Sequence, residues 1–226
     1  MNVTASAGTG VQDKPAEHPG RLILARHGQT DHNRSRRLQG QIDIPLNELG
    51  RRQAAALGRA LAASPPDVIL ASPLGRAVDT ARAVAEPLGM TVHPDHAFLE
   101  RGFGEWEGLT FSQISQQWPQ DHARWRSSRE QSLPHLGIEE RGDVAHRVAE
   151  GCRRVLAEHP GKRVLVVAHG AAISLAISEL IGLDPVHSRG ISGLENCHRS
   201  ELEPVHDDPT GRAMRLLSHN LPPDFP

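Results

Sequence analysis

Two stretches decide the fold: Leu22-Ile23-Leu24-Ala25 running into Arg26-His27-Gly28, and Arg163-Val164-Leu165-Val166-Val167-Ala168 running into His169-Gly170. Each holds a short apolar run without polar alternation, the pattern of a strand buried on both faces. Each run ends where a histidine begins, so two imidazoles are set at the carboxyl ends of buried strands. Further out, Asp67 to Ala71 reads as another buried strand and Thr91-Val92 as a short one; Ser200 to Pro204 and Ala213 to His219 read as late strands.

Between the strands the apolar period changes to that of helices. Leu49, Leu57 and Leu61 predict a helix capped by Asn47 that runs to about Ala63, where Pro65-Pro66 stops it. Ser72-Pro73 predicts an N-cap and a first-turn proline for a helix carrying Leu74, Val78, Ala81, Ala85 and Leu88. Val144, Val148, Cys152, Val155 and Leu156 define a long helix, and Ile173, Ile177, Leu180 and Ile181 another. Phe98 to Trp125 reads as loops with short helices, Thr110 or Ser112 being the cap candidate. Strands alternating with helices predict an α/β fold, a three-layer α/β/α arrangement with a mostly parallel central sheet. A helical insertion of about residues 98–137 is expected over the carboxyl edge, where such sheets collect ligands. Residues 1–19 read as a disordered tail and 20–226 as a single domain.

Composition narrows the functional classes. With 38% apolar and 23% charged residues and no run long enough for a bilayer, the chain reads as globular, with no membrane partner. A net charge of −2 gives no global attraction to nucleic acid, so any anion is recognised locally. Cys152 and Cys197 make no disulfide framework, and the first residues lack the features of a secretory signal; a cytoplasmic location is the expectation. Lys14 and Lys162 are the only lysines, so the positive charge is nearly all guanidinium, the fork that suits phosphate.

Phosphoryl transfer without a metal needs cationic donors on the phosphate oxygens, an in-line nucleophile and a proton donor for the leaving oxygen. Arg26 and Arg76 can supply the first, His27 or His169 the second, and Glu100 the third. Singly, Arg76 would be a solvated helix residue paired with Asp79, and Glu100 a surface carboxylate. Together they form four separated motifs: Leu24-Ala25-Arg26-His27-Gly28-Gln29-Thr30 with Asn33; Ser72-Pro73-Leu74-Gly75-Arg76-Ala77 with Thr80-Ala81; Leu99-Glu100 with Phe103-Gly104 and Trp106-Glu107-Gly108; and Val166-Val167-Ala168-His169-Gly170.

In order and spacing, from about Arg21 to Ile181, these motifs resemble the histidine phosphatases, also called the phosphoglycerate mutase-like superfamily. The resemblance implies that His27 becomes phosphohistidine, that Arg26, Arg76 and His169 complete the phosphate pocket, and that Glu100 protonates the leaving group. It makes Asn33 a further donor and, more weakly, Gln39 a substrate contact, with Gly170 beside the second histidine. Arg34, Arg36 and Arg37 lie just past the nucleophile, and Arg37 is the candidate for a second anionic group on the substrate; a solvated loop is the alternative.

The activity implied is a metal-independent phosphomonoesterase, without cofactor, acting on a small phosphorylated metabolite; a homodimer is left open. The fourteen histidines give one close pair, in His93-Pro94-Asp95-His96, which reads as a turn and not as a metal site. A cofactor-dependent phosphoglycerate mutase is the first alternative, disfavoured by Phe103 and by Trp106-Glu107-Gly108-Leu109-Thr110 where similar mutases carry a tyrosine and a lysine. A non-catalytic phosphate-binding module is the second, disfavoured because no member of the set is missing. Within the phosphatase branch, Pro134-His135 and Asn196 are similar to glucosyl-3-phosphoglycerate phosphatases, whereas Gly137-Ile138-Glu139-Glu140 replaces the common Gly-Gly-Glu-Ser. Trp106, Trp118 and Trp125 are expected to line a pocket or to pack the insertion onto the sheet.

Overall fold

In the computed structural model, which describes residues 20–127, 133–208 and 210–223, the two decisive stretches form β1 (Arg21–Arg26) and β4 (Arg163–Ala168). The tail expected at 1–19 lies outside the described residues. β1 and β4 pair in parallel, Leu22 with Val164 through Arg26 with Ala168, so His27 and His169 leave adjacent strand ends at the same level. The six-stranded sheet runs β3 (Val92–Pro94), β2 (Val68–Ala71), β4, β1, β5 (Arg199–Pro204), β6 (Met214–Leu221). β3, β2, β4 and β1 are parallel; β5 and β6 are antiparallel additions.

Side-chain alternation along the strands builds two cores. Leu22 and Leu24 face one layer, made by α6 (Arg141–Glu158) and α7 (Gly170–Leu180) with Val148, Cys152, Ile173 and Ile177. Ile23 and Ala25 face the other, made by α2 (Glu48–Ala62) and α3 (Gly75–Ala85) with Leu57, Leu61, Ala77 and Ala81. Leu22, Ile23 and Leu24 are fully buried, each contributing about 1.5–3 kcal/mol by leaving water. A one-residue slip would exchange the two sets and is therefore excluded by both cores. The three-layer arrangement expected from the alternating elements is the one observed.

Asn47 caps α2 as expected, accepting from Gly50 N at 2.9 Å. The start of α3 differs. Ser72 N still bonds Val167 O and so continues the sheet, and the N-cap is Leu74, which has no side chain to offer. The cap is supplied from afar: both oxygens of Asp43 accept from Gly75 N, at 2.9 and 3.1 Å.

The insertion has a core of its own. A two-residue bridge between Phe103 and Ile138 closes it, and α4 (Phe111–Gln117) and α5 (Pro119–Ser127) lie within, α4 capped by Thr110 in a reciprocal box with Gln113. Trp106, Trp125, Phe103, Ile114 and Leu133 pack together, the two indoles edge to face at 5.1 Å. This corrects the expected packing of the tryptophans onto the sheet: the loop closes at its base before reaching the strands, so its apolar side chains satisfy one another. The loop after α1 (Asp31–Arg34) holds it through Leu38 N to Leu109 O at 2.9 Å and Gly108 N to Leu38 O at 2.7 Å.

Candidate active site

His27 follows the last residue of β1, its N–H on Ala168 O at 3.0 Å and its carbonyl accepting from Asn196 Nδ2 at 2.9 Å. Its ring Nδ1 lies 2.7 Å from Gly28 O. A carbonyl can only accept, so Nδ1 carries the proton and Nε2 keeps its lone pair. The ring is 2% exposed; burial first, then the charges of Arg26 and Arg76, hold its pKa well below the usual value, so the imidazole is neutral. Gly28 N donates to Thr80 Oγ1 at 3.0 Å, and that hydroxyl donates to Arg76 O at 2.7 Å, tying the nucleophile candidate to α3.

His169 comes off β4 with its ring centroid 5.2 Å from that of His27, fully buried, and neither of its nitrogens has a protein partner. Burial, then His27, Arg76 and Arg26, push its pKa well down. Arg26 Nη1 donates to Leu194 O at 2.7 Å; Arg76 donates through Nη1 to Ile42 O at 2.6 Å and through Nη2 to Gly40 O at 2.7 Å. The Nε atoms of both arginines are buried and unpartnered. A buried polar atom left without a partner costs about 1–3 kcal/mol, and of these four nitrogens three can donate, one each from Arg26, Arg76 and neutral His169, a set suited to a polyoxygen anion.

Glu100 closes the opposite side. Its Oε1 accepts from Arg101 N and Ala172 N, both at 2.9 Å, and its Oε2 from Ala171 N at 3.2 Å, so the carboxylate occupies the N-terminus of α7, where His169 offers no cap. Its charge reaches both Arg26 and Arg76, raising their pKa values against the burial that lowers them. Gly170 packs by its backbone against Arg26: a Cβ there would meet Arg26 Nε at 3.6 Å.

The remaining sequence candidates divide. Asn33 Oδ1 accepts from Thr30 N at 3.1 Å and Asn196 Nδ2 at 3.2 Å, which orients its amide with the NH2 left to donate. Gln39 Oε1 accepts from Thr30 Oγ1 at 2.7 Å, orienting that amide likewise. Arg37 is directed away: its Nη1 donates to Gly108 O at 2.8 Å and Gln113 Oε1 at 2.9 Å, bracing the insertion, while Arg34 pairs with Asp31 in solvent. Asp79, offered as a partner for Arg76, pairs with Arg82 instead.

Sequence reasoning passed over Thr80 as a support of the nucleophile candidate, though its place one helical turn beyond Arg76 was a usable signal. It also passed over Gln41, whose Nε2 donates to Glu100 O at 3.0 Å. Among the described residues, one trio, His146, Glu150 and Glu179, comes close enough to share an ion; Arg153 and Arg212 already pair with its carboxylates, on a face remote in sequence from His27.

Residues 22–216 match the model of the histidine phosphatase superfamily, branch 1. Glucosyl-3-phosphoglycerate phosphatase of Mycobacterium tuberculosis is 37% identical over 190 residues, 80% of this chain and 84% of that one. Phosphoserine phosphatase 1 of Hydrogenobacter thermophilus is 31% identical over 164 residues, 73% of this chain and 77% of that one. A solved structure of a mycobacterial glucosyl-3-phosphoglycerate phosphatase with VO3 superposes with a TM-score of 0.79 at 36% identity, covering 89% of this chain and 98% of that one.

Proposed function

The chain belongs to the histidine phosphatase superfamily and is a phosphoric monoester hydrolase, and we propose that it works through a phosphohistidine at His27 Nε2. The observation that carries the reading is the fixed tautomer: Gly28 O holds the Nδ1 proton, so the lone pair of Nε2 stands beside the unpartnered nitrogens of Arg26, Arg76 and His169.

In the first step Nε2 attacks phosphorus, the bond from phosphorus to the ester oxygen breaks, and that oxygen takes the proton of Glu100 as the alcohol departs. In the second, Glu100, now a carboxylate, takes a proton from water as the water oxygen attacks phosphorus; the N–P bond breaks, releasing phosphate and neutral His27. The arginine forks stabilise the charge spread over the equatorial oxygens in both steps.

In the free site the Glu100 carboxylate accepts three backbone N–H groups, but a phosphate monoester has a second pKa near 6 and brings a proton when bound as the monoanion. Activity is therefore weighted toward mildly acidic and neutral pH. The substrate class is a phosphosugar or a phosphoglycerate derivative, supported by the 37% identity to glucosyl-3-phosphoglycerate phosphatase.

Phosphate release measured with EDTA across phosphosugars, phosphoglycerate derivatives, phosphoserine and nucleotides tests the reading. Release persists in EDTA and disappears in His27→Ala; full activity of that variant would end it. Transfer between glycerate hydroxyls without release would identify a mutase instead.

A further inference from the structure

Glu100 sits in Leu99–Gly102, a stretch with no helix or strand of its own, so its backbone must be fixed by other elements. Upstream, Arg147 Nη1 donates to Ala97 O at 3.0 Å and to Leu99 O at 2.9 Å. Downstream, Gly102 N donates to Glu139 Oε2 at 3.0 Å, Glu139 N returns a bond to Gly102 O at 3.0 Å, and Arg101 Nε donates to Glu139 O at 2.7 Å. The two anchors are then joined: Arg147 Nη2 lies 2.9 and 3.1 Å from the oxygens of Glu139, with Nε 3.2 Å from Oε1.

We propose that Glu139, locked by Arg147, is a positioning residue that holds Glu100 at the height where its carboxyl meets the leaving oxygen; this rests on Glu100 being the proton donor. Arg147 belongs to α6, whose Val144 and Val148 are fully buried, so the clamp lends the rigidity of a packed 18-residue helix to an irregular segment. From the other direction the carboxylate is fixed by Ala171 N and Ala172 N of α7. Glu100 is thus held by both helices of one layer, its backbone by α6 and its head by α7.

The pairing falls in the stretch that departs from the family pattern. Beside Glu140, which stands in place of the common serine, Glu139 directs its carboxylate onto Gly102 N and Arg147, and its hydrogen bonds go to these groups and not to Arg26, His27, Arg76 or His169. Both partners are 26% exposed and joined in two-point geometry, which fixes direction as well as distance. Arg147 also acts electrostatically on His169, so Glu139 is the informative residue to change.

The test is leaving-group dependence. An alkyl phosphate such as glycerol phosphate needs its departing oxygen protonated, whereas p-nitrophenolate leaves without help; kcat/KM reports the steps through departure of the alcohol. Glu139→Ala is expected to lower kcat/KM on the alkyl ester by about 10- to 100-fold, part of the ~10²–10⁴ a general acid supplies. On p-nitrophenyl phosphate it changes by less than about 3-fold, since positioning by the clamp then has no proton to deliver. In the Glu100→Gln background, adding Glu139→Ala has no further effect on the alkyl ester. Equal losses on both esters, or a full additional loss in the double variant, overturn the proposal as a merely structural role. If Glu139→Ala does not fold, Glu139→Gln, which keeps an acceptor for Gly102 N and loses the charge facing Arg147, carries the same comparison. If Glu100→Gln itself shows no leaving-group dependence, it is the assignment of Glu100 that fails, a result separable from failure of Glu139.

Discussion

Gly28→Ala puts the coupling between packing and chemistry to a direct test. A Cβ on Gly28 would stand 2.4 Å from Gly50 O, 3.0 Å from Gly50 C and 3.1 Å from Gly50 Cα. The obstacle is the backbone of the first turn of α2, which cannot rotate aside as a side chain would. The closest approach tolerated is 3.0 Å, so the peptide after His27 must retreat by roughly 0.6 Å. Overpacking of this kind costs about 1–3 kcal/mol, or a fall in Tm of about 2–12 °C for a chain of this size. The functional cost is larger. Gly28 O fixes the Nδ1 proton of His27 and Gly28 N is held by Thr80, so the retreat moves Nε2, the proposed attacking nitrogen. A misplacement near 1 Å costs about 10²-fold, and 0.6 Å is expected to lower kcat on p-nitrophenyl phosphate by at least about 10-fold. Thermal melts and steady-state kinetics on the same preparation decide it. Wild-type kcat with wild-type Tm would refute the reasoning; a lowered Tm with unchanged kcat would show that His27 is not held through this peptide.

Thr80→Val removes the acceptor for Gly28 N and is expected to cost about 1–3 kcal/mol, with Thr80→Ser near wild type; equal melts for the two variants would dismiss the bond. Orthophosphate at 100 times its Kd should stabilise the protein by about 2.7 kcal/mol, some 5–11 °C in Tm, and Arg76→Ala should abolish most of that shift. The lowered pKa of His27 makes a claim about the acid side of the rate profile: the imidazole is already deprotonated at pH 6.5, so kcat/KM should not fall from pH 7 to 5.5 as the substrate monoanion accumulates, and a tenfold fall there would count against it. Stability moves with the opposite sign. His27 and His169 are neutral when folded and bind protons near pH 6.5 when unfolded, so the unfolded state gains protons as pH falls below 6.5. From pH 6.5 to 5.5 each contributes about 1 kcal/mol of lost stability, and His169→Asn should flatten the wild-type slope by that amount; parallel slopes in chemical denaturation would contradict the burial.

What was legible in the sequence follows from how each feature is encoded. β1 and β4 could be read because a strand covered on both faces must be apolar at consecutive positions, and Asn47 because a cap acts within three residues of itself. The start of α3 could not, because its cap is Asp43, 32 residues earlier. Arg147 shares that difficulty more strongly, as do the contacts, though not the positions, of Glu139 and Asn196. Apart from the side-chain pairs Glu139–Arg147 and Asn196–Asn33, their partners are backbone groups of distant segments, and a main-chain amide or carbonyl has no residue type by which the sequence could announce it. Arg37 misled for a different reason. It neighbours His27 in sequence, but the chain turns at Arg36, which sits at φ 54°, and the turn carries the next guanidinium toward Gly108 and Gln113 of the insertion. Proximity along the chain is here not proximity in space.

The two pocket arginines show why their partners had to be backbone carbonyls. A guanidinium orients well on a carboxylate, but a bound carboxylate would cancel the charge needed for phosphate and would have to be displaced by each substrate. Leu194 O, Gly40 O and Ile42 O fix the planes of Arg26 and Arg76 while leaving the net charge intact. Glu100 is kept on the amides of α7 instead, close enough to act on both arginines electrostatically yet bonded to neither. The same choice ties the loops at residues 40–42 and Leu194 to Arg76 and Arg26, so side chains on those loops are carried with the two guanidinium forks. Discrimination among alcohols must then come from positions beyond the forks, and loop exchange at 39–43 should alter substrate preference while kcat on p-nitrophenyl phosphate is retained only if Arg76 keeps its two carbonyls.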